Sequence, residues 1–198
     1  MTEPVLTPPP HAVPAAFTRA QLDWLPWLEP LAPEALTPRH MAALVDASRA
    51  GSPYFRLLAR DPAALEARTR TDKDIFYNTD AGLPRAEREL AAAATSRFNG
   101  CIYCASVHAR FAATYSKRVE DVQRLLDEGV GAALGERWEA IVAASVALSA
   151  TPVAFGPEHV ARLRQVGLDD LAIADVIQSA AFFNWANRLM LSLGEPTE

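Results

Sequence analysis

Apolar residues recur every three or four positions over most of this chain, and strict alternation of apolar and polar positions is rare. That period marks helices that bury one face. The clearest case is RAERELAAAATSRF, residues 85–98, rich in good helix formers, with Leu90, Ala93, Ala94 and Phe98 on its apolar side. Asn99 and Gly100 break it, since both tolerate positive φ, and a second helix is expected from about Cys101 to Ser116. Pattern and breaker together predict an αα-hairpin with a tight joint directly before the first cysteine.

Other helices are expected over 39–50, stopped by Gly51–Ser52–Pro53, and from the Asp61 cap and Pro62 through about Arg70. Three more should cover Val119–Glu128, Glu136–Ala150 and a short stretch from Gly156–Pro157 to Gly167. A last one, capped by Asp169, should run over 171–193 and close at Gly194–Glu195–Pro196. The helices at 138–150 and 170–191 are apolar on most faces, which implies burial all round or a subunit interface. We therefore expect a homo-oligomer built from twofold dimers.

The beginning of the chain reads differently. Residues 1–16 carry five prolines and should form an extended or loose arm. From Phe17 the pattern turns helical, but Pro26, Pro30, Pro33 and Pro38 keep the early helices short. Trp24, Trp27, Leu28 and Leu31 share helical spacing and predict an amphipathic edge packed on the body. The expected organisation is an arm at 1–16 and one all-helical domain at 17–198, an all-α fold with its core cassette at 82–116.

Composition narrows the function. Half of the 198 residues are hydrophobic, so the chain can bury a full core, and Gly totals only 9. A net charge of −5 without any basic tract argues against nucleic acid as a partner. No apolar run approaches the ~18–20 residues of a membrane span, and the start lacks the features of a secretory signal. A cytoplasmic protein is the expectation. In that reducing setting, two cysteines three apart point to redox chemistry or a metal rather than to a structural staple.

Those two cysteines, Cys101 and Cys104, stand before His108 in CIYCASVH, and helical steps of three and four put all three on one stripe. The first turn of a helix favours an anion, so both thiols are placed for lowered pKa values. His108 can carry a proton near neutral pH. Glu87 and Glu89 on the preceding helix are candidate carboxylates, and spacing alone does not choose between them. Cys101, Cys104, His108 and Glu89 would also count as four zinc ligands, which leaves a non-enzymatic redox- or metal-responsive binding protein as the alternative. His11, His40 and His159 read as solvated or structural.

The string Glu89-(x)11-Cys101-x-x-Cys104-x-x-x-His108, with Leu83–Pro84 before it and Ala109 after it, resembles the alkylhydroperoxidase / carboxymuconolactone decarboxylase superfamily. RAEREL, SRFNGCIYCASVHA and the closing FFNWANRLMLSLG are similar to its peroxidase-related branch. The resemblance implies an all-helical, cofactor-free thiol peroxidase that reduces small hydroperoxides. Its disulfide would be reduced by an external dithiol, either a thioredoxin-like protein or a lipoyl carrier. It assigns Cys104 as the attacking thiol, Cys101 as its disulfide partner, and Glu89 with His108 as the proton relay. The chain has Tyr103 where the well-studied relatives carry histidine, so Tyr103 is an accessory candidate. Members that decarboxylate a lactone acid generally lack the cysteine pair. Phe111, Phe182, Phe183 and Trp185 are candidates for an apolar substrate wall.

Overall fold

The structure, a computed structural model, describes residues 5–80 and 82–198; residues 1–4 of the expected arm and Ala81 lie outside the described residues. Helices dominate. In chain order they are α1 (Pro38–Leu44), α2 (Pro53–Leu58), α3 (Pro62–Tyr77), α4 (Arg85–Phe98), α5 (Ile102–Ser116), α6 (Val119–Glu128), α7 (Glu136–Ser149), α8 (Pro157–Gln165) and α9 (Asp170–Leu193). Two four-residue strands, β1 (Asp23–Pro26) and β2 (Gly194–Thr197), pair antiparallel. Among the described residues no helix is long and apolar enough to cross a membrane.

Helix α4 is the hub, packed on α5, α7 and α9. Ala91, Ala92, Ala93 and Ala94 are all fully buried, and their small side chains let three neighbours approach the same helix. Helix α7 lies inside the fold, with Trp138, Ile141, Val142 and Ala144 buried, so its apolar faces are covered within one chain. Gly100 adopts φ 80°, the left-handed conformation that lets α4 turn back into α5.

The expectations that need correction concern the N-terminal part of the chain. Trp24 and its neighbours form β1 rather than a helical edge, because the C-terminal residues 194–197 supply a strand partner. A Cβ at Gly194 would collide with the Leu25 carbonyl oxygen and the Trp24 ring, so the absent side chain permits this pairing. The helix expected over 39–50 ends at Leu44, where Val45 turns to φ 63°, and a short 3-10 turn covers Ala47–Gly51. Helix α3 begins as expected, with Asp61 accepting from the Ala63 and Ala64 amides, but it continues to Tyr77.

The arm from residue 5 is extended and tied down. The Leu6 amide donates to the Trp27 carbonyl and the Glu198 amide to the Ala12 carbonyl. His11, read as solvated, is mostly covered instead, its Nε2 standing 3.6 Å from Glu195. His40 and His159 cap their helices, each ring Nδ1 accepting from a backbone amide, Thr37 and Gly156 respectively.

Buried residues form a main core over α4 to α9, a second cluster that contains both cysteines, and a small third cluster of Ala43, Leu44, Ala59 and Leu65. The second cluster draws Trp24, Tyr54, Leu57, Ile75 and Phe76 from the N-terminal part of the chain. The N-terminal elements thus form one wall of the site, and α4, α5 and α9 form the other.

Candidate active site

Cys101 sits at the joint itself. Its amide donates to the Ser96 carbonyl, and its own carbonyl accepts from Ala105, starting α5. Cys104 and His108 follow one and two turns along the same face. Both cysteines are free thiols and buried.

Glu89 is 1% exposed, so its charge requires partners. Its Oε2 lies 2.6 Å from His108 Nδ1, and Arg85 Nε donates to its Oε1 at 3.1 Å. A carboxylate at Nδ1 favours the tautomer in which that nitrogen carries the proton, which leaves the Nε2 lone pair free to accept one. The imidazole is clamped by Phe183, with ring centroids 3.9 Å apart, and by Phe76 at 5.2 Å. Glu87 faces elsewhere and takes a two-pronged ion pair from Arg137, both contacts 2.7 Å. Positions two apart on a helix point to nearly opposite sides, so only one of these carboxylates can meet α5.

The thiols differ in acidity. Cys101 is held below the ordinary thiol range, chiefly by the hydrogen bond from the Cys104 thiol, with the Cys104 backbone N–H and the Asn187 amide assisting against burial. Cys104 is pushed well above that range by the same hydrogen bond, by burial and by the neighbouring negative sulfur. The expectation that both thiols are acidified therefore holds for Cys101 and is corrected for Cys104. The pair shares a proton, and the first to leave comes from Cys101.

The two sulfurs face different spaces. Cys104 lines a cavity of about 210 Å³ together with His108, Glu89, Tyr103 and Phe183. Cys101 lines a smaller, mostly apolar cavity of about 140 Å³ on another side, walled by Val13, Trp24, Met190 and Pro196. Tyr103 borders both cavities, and burial raises its phenol pKa, so it stays a neutral donor. Of the expected aromatic wall, Phe111 and Phe183 line the larger cavity, while Trp185 is 46% exposed. Among the described residues no group of three or more His, Cys, Asp or Glu is arranged to hold a metal ion.

Sequence reasoning missed four contributors. Asn187 is fully buried, donates to Ser96 Oγ at 3.0 Å, accepts from Asn99, and lowers the pKa of both thiols. Its only signal was the repeated Asn in FFNWANR. Arg85 could have been found as the i−4 partner of Glu89. Arg68 and Asp72 also show an i,i+4 pairing, but nothing in that spacing ties them to the distant cysteines.

The fold and site define an all-α protein with a buried Cys-x-x-Cys at a helix joint, backed by a Glu–His pair. Residues 62–147 match the carboxymuconolactone decarboxylase family model. The structure is similar to a peroxidase-related protein with an alkylhydroperoxidase AhpD core from Ralstonia eutropha JMP134, at 23% identity and TM-score 0.71, covering 84% of this chain and 89% of that one. It is similar also to a peroxidase-related protein from Silicibacter sp. TM1040, at 20% identity and TM-score 0.68, covering 97% and 95%. The debrominase Bmp8 shares the fold at 19% identity and TM-score 0.62, covering 83% and 88%. No curated protein matches the chain in sequence. The family match thus covers residues 62–147, and over most of its length the chain shares the fold of these alkylhydroperoxidase-like proteins.

Proposed function

We propose that the protein is a thiol-dependent peroxidase whose dithiol, Cys101 and Cys104, reduces a small hydroperoxide. The observation that carries this reading is the sharing of one cavity by Cys104 and the Glu89-backed His108, with Cys101 hydrogen-bonded behind. His108 Nε2 takes the Cys104 proton as the sulfur attacks the outer peroxide oxygen. The O–O bond breaks, the sulfur is oxidised to a sulfenic acid, and the leaving alkoxide receives that proton and departs as an alcohol. Cys101, the more acidic thiol, then attacks the sulfenic sulfur and expels hydroxide, which becomes water, giving the disulfide. An external dithiol, a thioredoxin-like protein or a lipoyl carrier, returns two electrons and two protons by exchange.

Burial of both thiols suits this order of events, since the reactive sulfur is reached only through the cavity. Glu89 fixes the imidazole and stabilises the imidazolium formed in the first step, and Arg85 holds Glu89 from its other oxygen. The chemistry calls for no further cofactor. The protein acts as a homo-oligomer built from dimers through the outer face of α9, where Leu171 and Trp185 are exposed. The test is dithiol-dependent consumption of hydrogen peroxide and cumene hydroperoxide by the wild type, Cys104→Ser and Cys101→Ser. Loss of turnover in both variants is expected, and unchanged turnover in Cys104→Ser would refute the assignment.

The similarity to a debrominase favours a second reading, in which the same thiols reduce a carbon–bromine bond. The ring gains hydrogen, bromide leaves and the dithiol becomes a disulfide. A solved complex of a Bmp8 variant, with one cysteine replaced by alanine, holds 2,3,4-tribromopyrrole. Bromide release from that compound, without hydroperoxide turnover, selects this reading.

A further inference from the structure

The cavity at Cys104 has a second polar end that the peroxide chemistry leaves unused. Arg49, Arg68, Asp72 and Tyr54 line it. Arg49 Nη2 and Arg68 Nη1 both donate to Asp72 Oδ2, at 3.3 and 3.2 Å, so two cations share one anion and a net positive charge remains. Three buried polar atoms of this group, Arg49 Nη1, Arg68 Nε and Tyr54 Oη, have no hydrogen-bond partner among the described residues. Buried donors left unpaired are costly, and native structures carry few of them.

These side chains are held in place. Both guanidiniums flank the Phe55 ring, at 4.9 and 5.4 Å from its centroid, and Arg68 also lies 5.3 Å from Phe182. The Arg68 side chain is only 8% exposed. Tyr54 is wedged edge-on between Trp24 and Phe55, and burial raises its pKa beyond the ordinary tyrosine range, so it remains a donor. Arg49, Tyr54 and Arg68 line the same cavity as Cys104, which puts this polar group and the thiol around one ligand space. Phe76, Val107, Phe183 and Met190 supply apolar lining, and the Arg85–Glu89–His108 group and Tyr103 are the other polar groups on the cavity wall.

From this arrangement we propose that the site selects a compact organic acid, with its carboxylate held by Arg49, Arg68 and Tyr54 and its hydroperoxide presented to Cys104. The identity of the reactive group rests on the peroxidase reading; the anion site does not. A carboxylate supplies enough lone pairs for the three unpaired donors, and its single charge matches the single excess cation. A phosphate dianion would overshoot that charge. The cavity, about 210 Å³, is smaller than the ~300–1,000 Å³ of pockets for drug-sized ligands, which restricts the substrate to a small acid.

The test is calorimetric titration of the full-length reduced protein with benzoate, with its neutral isostere benzamide and with phenyl phosphate. Benzoate should bind at least about tenfold more tightly than benzamide, as expected for a charge-assisted contact. Arg68→Met should reduce benzoate to the level of benzamide, and Arg68→Lys should retain part of the preference. The wild-type comparison stands even where a variant fails to fold. Equal affinity for benzoate and benzamide, or tighter binding of phenyl phosphate, would overturn the carboxylate site. If cumene hydroperoxide is consumed while benzoate and benzamide bind alike, the peroxidase reading survives and the acid specificity fails. If benzoate is preferred and no hydroperoxide is turned over, the anion site stands and the peroxidase reading fails.

Discussion

Glu89 Oε2 stands 2.6 Å from His108 Nδ1, joining two helices that meet at a tight turn. The contact spans nineteen residues of sequence and depends on the left-handed Gly100 between the helices. It favours the tautomer with the proton on Nδ1, so in the proposed reaction the hairpin geometry leaves Nε2 to handle the proton.

Substitutions in the hairpin should separate along this line. His108→Ala should slow hydroperoxide consumption by about 10²–10⁴-fold, the range of a lost general base. Glu89→Gln should cost about 10–100-fold and alter the pH profile, since an amide cannot stabilise an imidazolium. Glu87→Gln should leave turnover intact while breaking the ion pair to Arg137. That pair is partly exposed, so a fall of about 2–4 °C in unfolding midpoint is expected, for roughly 1 kcal/mol. Equal kinetic loss in the two glutamate variants would remove the special place given to Glu89.

The thiols should titrate apart, Cys101 below the ordinary thiol value and Cys104 well above it. Thiolate absorbance in the ultraviolet follows both steps. Asn187→Ala removes an amide that lowers both pKa values, so both steps should move to higher pH and less thiolate should form near neutrality. Its buried contacts to Ser96 and Asn99 would be lost as well, at about 1–3 kcal/mol of stability. Midpoints unchanged from wild type would show that Asn187 only fills space.

The N-terminal arm should control access to Cys101. Val13 lines the cavity beside that sulfur, and backbone bonds at Leu6 and Ala12 hold the arm in place. Deleting residues 1–16 in a Cys104→Ser background should speed maleimide labelling of Cys101 several-fold. Equal labelling rates would mean that the β1–β2 ribbon alone covers the thiol.

A dimer or higher oligomer is expected in solution, with the outer face of α9 at the contact. Trp185→Asp should dissociate it, as followed by light scattering at micromolar concentration. A sharp monomer peak for the wild type would contradict this arrangement.

Local sequence carried the helical half of the structure well. Helices α4 and α6 have the expected bounds, because Pro84 and Asn99–Gly100 delimit α4 while α6 has one clear apolar face and stops at Gly129. The Cys101–Cys104–His108 stripe was legible for the same reason, since helical spacing is local. The choice of Glu89 over Glu87 was not legible from spacing, because it depends on how α4 rotates against α5. Strand β1 escaped detection because its partner lies about 170 residues away. The second polar group of the cavity was invisible too: Arg49, Tyr54 and Arg68 line one cavity with Cys104 only after the N-terminal helices dock on the hairpin. The opposite acidities of the cysteines arise from one shared hydrogen bond, which overrides the common helix-end effect.

The division of labour between the cysteines is tested most directly by trapping the oxidised sulfur after a single turnover. One equivalent of hydroperoxide is added to reduced Cys101→Ser and Cys104→Ser proteins with a sulfenic-acid-specific reagent, and the adduct is located by peptide mass spectrometry. The prediction is a near-stoichiometric adduct on Cys104 in Cys101→Ser and none in Cys104→Ser. An adduct on Cys101 in Cys104→Ser, with Cys104 unmodified in Cys101→Ser, would contradict it and make the more acidic thiol the attacking one.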